Sequence, residues 1–184
     1  GEDDQTKIDF ETANEIHFYA DNAQRLNLDA NSRISLSNND GGSQNTVFGH
    51  LAGAALASSV DNNVLIGHAA GTALNGGDQN VIVGHLAGDA LTSGEDNTFI
   101  GQAAGGATTA GSSIVVVGRN AGLGNMTTAA NGTVIVGAGA GAALTEGEKN
   151  VAIGYQALDA DTTGDNSVAV GYQALTAQTG VDGE

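Results

Sequence analysis

A glycine preceded by three apolar or β-branched residues returns eight times in this chain: Gly49, Gly67, Gly84, Gly101, Gly118, Gly137, Gly154 and Gly171. The intervals are 18, 17, 17, 17, 19, 17 and 17 residues. The unit is therefore 17 residues long, with small insertions near Ser58-Ser59 and near residues 125–131. A fixed period means stacked copies of one unit, each burying the face that its neighbour leaves open.

Columns read relative to that glycine are well filled. Ala stands three places after it in all eight copies, from Ala52 to Ala174. Ala stands six places after it except at Gly124. Asn stands four places before it at Asn45, Asn63, Asn80, Asn97 and Asn150, and Gly seven places before it in six copies. A triplet such as Val81-Ile82-Val83 is β-branched and too short for a helix, so it reads as a strand. The glycine permits a bend or a positive φ. A second short strand is expected over residues such as Ala87-Gly88-Asp89-Ala90-Leu91, and the Gly-acid-x-Asn stretch turns the chain back. Stacked about 4.8 Å apart, eight coils span roughly 40 Å. The Asn column is placed to form an amide ladder, and the Ala columns let the two walls of a narrow coil approach. A helical-hairpin array is the competing reading of pieces such as HLAGAALA. Glycines at fixed positions inside each such helix, at about 1 kcal/mol apiece, and the short unit argue against it.

The first 44 residues lack the motif. They carry Ile8-x-Phe10, Ile16-x-Phe18, Leu26-x-Leu28 and Ile34-x-Leu36, with polar turns at Asp21-Asn22 and Asn38-Asn39-Asp40. Four short strands are expected there, as a cap or shaft on the solenoid's open end. The domains are then 1–44, a repeat solenoid over 45–178, and a tail over 179–184. The fold class is all-β: a β-solenoid (β-roll or β-helix) of about eight 17-residue coils, preceded by a short-strand segment.

Composition narrows the function. Five basic residues face 21 acidic ones, for a net charge of −16. Phosphate-backbone contacts need a basic surface, so nucleic acid is excluded as a partner, and an anionic membrane surface is disfavoured. No apolar run is long enough for a membrane-spanning helix. GEDDQTK has neither the basic nor the apolar region of a signal peptide, so the chain is expected to be an interior or mature piece. There is no Cys, hence neither a disulfide framework nor a thiolate metal site.

The stretches NVAIGYQAL at 150–158 and NSVAVGYQAL at 166–175 resemble the head repeats of trimeric autotransporter adhesins. They resemble still more the repeats of bacteriophage tail fibres, which run in the style of N-x-A-I-G-x-x-A-L. The opening KIDFETANEIHFYADNAQRLNLD, residues 7–29, is similar to a segment common in phage fibres, especially those of marine phages. The first six repeats depart by using Ala-Gly where the last two use Ala-Leu. The resemblance implies a trimeric rod on a virion tail fibre or a bacterial cell surface. It implies a host glycan or protein receptor and other tail or appendage proteins as partners. The expected function is structural and adhesive, without catalysis. A polysaccharide-degrading tailspike and a bacterial adhesin head are the alternatives.

Few residues suggest chemistry. His50, His68 and His85 follow the anchor glycine in three successive coils, and stacked they would suit a transition metal. The same column continues as Gln102, Arg119, Ala138, Tyr155 and Tyr172, which reads as a variable surface strip. His50, His68, His85, Tyr155 and Tyr172 are the binding candidates. Asp61, Asp78 and Glu95, with Glu148 and Asp165, form an acidic column, the candidate for a calcium ladder or a hydrolytic carboxylate pair. The nine-residue Gly/Asp repeat of calcium β-rolls is absent, and there is no Trp for a sugar platform. Solvated turn acids are therefore expected, with no cofactor. Thr reaches the strand only at Thr46 and Thr98, too few for an ice-binding array. The triplets are apolar on both faces, and a lone narrow coil buries only one. Val47, Leu65, Ile82, Phe99, Val116 and Ile135 are expected to form the trimer interface.

Overall fold

The structure, a computed structural model, describes residues 7–9, 16–20, 23–28, 34–36, 44–177 and 179. The expected turns at Asp21-Asn22 and Asn38-Asn39-Asp40, residue Phe10 and most of the expected tail lie outside them. Four strands come first: β1 (Lys7–Asp9), β2 (Ile16–Ala20), β3 (Ala23–Leu28) and β4 (Ile34–Leu36). They pair as an antiparallel meander in chain order, matching the four alternating apolar pairs.

The repeats then form one parallel eight-stranded sheet: β5 (Thr46–Phe48), β6 (Val64–Ile66), β7 (Val81–Val83), β8 (Thr98–Ile100), β9 (Val115–Val117), β10 (Val134–Val136), β11 (Val151–Ile153) and β12 (Val168–Val170). Each triplet pairs in register with the next, as in Val81↔Thr98, Ile82↔Phe99 and Val83↔Ile100. The chain is a β-solenoid of about seven turns, about 17 residues per turn.

The Asn column forms the expected ladder. Asn63, Asn80 and Asn97 each donate Nδ2 to the Oδ1 of the Asn one coil earlier, at 3.1, 3.0 and 3.0 Å. The same oxygens accept the backbone N–H of the following Asn. Three buried polar groups per coil are thus satisfied without water.

The second strand is not found. After the anchor glycine the chain makes turns, with left-handed residues two and four places on, such as Leu86 (φ 56°) and Gly88 (φ 49°). Extended backbone needs negative φ, so these positions forbid a strand. The wall is still bonded coil to coil, through Leu86 N–H to the His68 carbonyl (3.0 Å) and Gly88 N–H to the Ala104 carbonyl (3.0 Å). Of the two longer connections, the one after β9 carries a 3-10 turn, Thr128–Ala130, capped by the Thr127 hydroxyl.

The trimer-interface expectation is corrected. Leu65, Ile82, Phe99, Val116 and Ile135 are fully buried within the single chain, and Val47 packs against the same cluster. Side chains alternate along a strand. The inward Asn four places before the glycine and the residue two places before it therefore share the interior face. What points outward is the other pair of columns, from Thr46 to Val168 and from Phe48 to Val170.

Ala-Gly and Ala-Leu coils follow the same path because they fill one volume from opposite walls. A Cβ on Gly141 would come 2.8 Å from Ile135 Cδ1. In the next coil Ala152 replaces the large strand residue, and Leu158 occupies the Gly141 position, fully buried. Phe99 is the largest buried strand residue, and its coil carries Thr108 where other coils carry Leu74, Leu91 and Leu144. Thr108 Oγ1 is buried with no hydrogen-bond partner. Thr108→Val keeps the shape and removes the orphaned hydroxyl, so it should stabilise the fold by about 1 kcal/mol. A urea midpoint at or below that of the wild type would contradict this.

Candidate binding surfaces

Two surfaces face outward beside each other. The first is the outer side of the parallel sheet, almost wholly Val and Ile. Its ends are the most open, with Phe48 67% and Val170 64% exposed; Ile66, Ile100 and Ile153 between them are 37–39% exposed.

The second is the column just after the anchor glycine. His50, His68 and His85 stack with ring centroids 5.4 and 5.1 Å apart, and Tyr155 stacks on Tyr172 at 5.4 Å with planes 10° apart. The five binding candidates therefore fall into two stacks on one exposed strip. Next to the tyrosines, Gln173 Nε2 donates to Gln156 Oε1 at 3.0 Å.

The acidic column is turned toward backbone. Asp78 Oδ1 accepts the Asp61 N–H (2.7 Å), and Asp165 Oδ1 accepts the Glu148 N–H (2.8 Å). Glu95 N–H donates to Ser112 Oγ (3.0 Å), and Ser112 N–H to Asn131 Oδ1 (2.7 Å). The column is a second side-chain ladder, in which hydroxyl and amide oxygens stand in for carboxylates. Among the described residues no group of three or more His, Asp or Glu is placed to hold a metal ion. Burial pushes the Asp89 carboxyl above its ordinary pKa, opposed by backbone N–H groups and His85. Lys149 Nζ lies 2.6 Å from Glu148 Oε1, and this pairing raises its pKa.

The exposed column breaks at one place. Coil six carries Ala138-Gly139 between Arg119-Asn120 and Tyr155-Gln156. These six residues line an open notch of about 150 Å³. The signal was there to read: the two smallest residues of the strip stand together, flanked by a cation and an aromatic ring. Set against known proteins, the chain matches no protein-family model, no curated protein and no solved structure.

Proposed function

We propose that the chain is a structural and adhesive module of a viral tail fibre or a related surface appendage, three copies forming a rigid rod that carries attachment to a host-surface glycan or protein. The observation that carries this reading is the outward sheet face. Two columns of mostly Val and Ile, with Thr46, Thr98 and Phe48 among them, run the length of an eight-stranded sheet, about 34 Å at the spacing of stacked strands. A stripe of that length in water is a liability for a monomer, and identical stripes close on one another about a symmetry axis. Three-fold closure comes from the resemblance of NVAIGYQAL and NSVAVGYQAL to trimeric fibre repeats. Attachment comes from the same source and is served by a rigid, cofactor-free rod with an exposed ring-bearing strip along one side.

Sedimentation tests it. The wild type should run at three times the 18.1 kDa chain mass. Val83→Lys or Val117→Lys buries an unpaired charge at one level of the stack in every chain. It should cost about 3–5 kcal/mol per site and give monomers with unchanged β-sheet circular dichroism. A wild-type chain stable as a monomer refutes the rod.

A further inference from the structure

We infer that the notch at coil six is a binding site for one carboxylated sugar residue. Its geometry comes from stacking. Ala138 and Gly139 leave a gap two coil spacings wide, about 9.6 Å, between Arg119 and Tyr155. The floor is held by coil-to-coil hydrogen bonds, Gly139 N–H to the Arg119 carbonyl and Gln156 N–H to the Ala138 carbonyl, each 3.0 Å. The wall is pre-set too. Tyr155 is stacked on Tyr172 along one face, which leaves its other face toward the notch.

The lining dictates the ligand. A tyrosine face takes the C–H face of a pyranose ring. Asn120 and Gln156 bring amide donors and acceptors for hydroxyl groups. Arg119 brings a planar fork that fits a carboxylate in bidentate fashion. The solenoid has two cations, Arg119 and Lys149, and Lys149 is taken by Glu148. Among the described residues no carboxylate pairs with Arg119. The net charge of −16 repels long polyanions, so a single acidic sugar at a chain end or branch fits better than a run of them. The notch is below the roughly 300–1,000 Å³ of sites for drug-sized ligands, which suits one ring.

This inference deepens the attachment reading and rests on it for its biological sense; its test stands apart. The 184-residue chain is titrated with methyl β-D-glucuronide and with methyl β-D-glucoside, which lacks only the carboxylate, by saturation-transfer NMR. The glucuronide should bind with a Kd of about 1 mM, and the glucoside about tenfold or more weakly. Arg119→Gln should erase the difference between the two sugars. Ala138→Tyr extends the tyrosine stack and fills the gap. It should weaken glucuronide binding about tenfold or more while leaving melting and sedimentation unchanged. Tyr155→Leu tests the ring in the same way. No binding by the wild type, equal binding of both sugars, or wild-type binding by Ala138→Tyr each overturns the site. A trimer that ignores the glucuronide sinks the sugar site and spares the rod; a monomer that binds it does the reverse.

Discussion

Replacing Gly101 by alanine should cost about 3–5 kcal/mol and broaden or abolish cooperative melting of the solenoid. Two effects add. The backbone sits at φ +133°, where a side chain is strained. The new Cβ would also lie 2.7 Å from the Gly118 carbonyl oxygen and 2.8 Å from its carbon. That carbonyl cannot retreat cheaply, because Gly118 N–H is bonded to the Ile100 carbonyl at 2.8 Å in the sheet ladder. Gly171→Ala separates the two effects. It has the same kind of backbone, φ +131°, but nothing within 4 Å of the added carbon. It should cost only the strain, about 1–3 kcal/mol. Equal losses at both positions, measured by thermal and urea melts, would show that coil-to-coil contact is not what the glycine column protects.

Asn80→Leu should be comparably damaging, at about 3 kcal/mol or more. Asn80 is fully buried. Its Nδ2 donates to Asn63 Oδ1 and to the carbonyls of Asp78 and Gly94, and its Oδ1 accepts from the Asn97 backbone and side chain. Leucine takes away the partners of the buried Asn97 N–H and Gly94 carbonyl, each costing about 1–3 kcal/mol. Ile114 occupies the same column harmlessly because it ends a run: its own N–H still reaches Asn97 Oδ1, at 3.0 Å. Hydrogen exchange at Asn97 N–H reads the loss directly. A protected amide and an unchanged denaturation midpoint in Asn80→Leu would defeat the argument.

Much of this architecture was legible because it repeats. Eight Val/Ile-rich triplets and eight glycines at a common spacing define the strands and bends, and an Asn at the same offset defines the ladder. The inward face of the triplet is not legible from hydropathy, because both of its faces are apolar. Two signals could have chosen. Asn80 and Ile82 are two apart and must share a face. The swap from Ile135 with Gly141 to Ala152 with Leu158 conserves volume, which only residues enclosed in one core need to do. The turn wall was unreadable for another reason: Leu51, Ala69, Leu86 and Ala103 hold positive φ (59°, 55°, 56° and 52°) without being glycine or asparagine. Neighbouring coils impose that conformation. The notch at Ala138-Gly139 carries no periodic signal at all, since it is a departure from the period.

In-register stacking also bears on how such a molecule comes into being. Ile82 meets Phe99 and Phe99 meets Val116, each one coil further along the chain. No strand of the solenoid waits for a distant partner. Each finished coil offers a rigid template on which the next stretch of newly made chain can settle as it leaves the ribosome. Growth by accretion of this kind has a nearly constant loop-closure cost per step. Lengthening the rod by duplicating a coil would then add another step of the same kind and leave the search no harder.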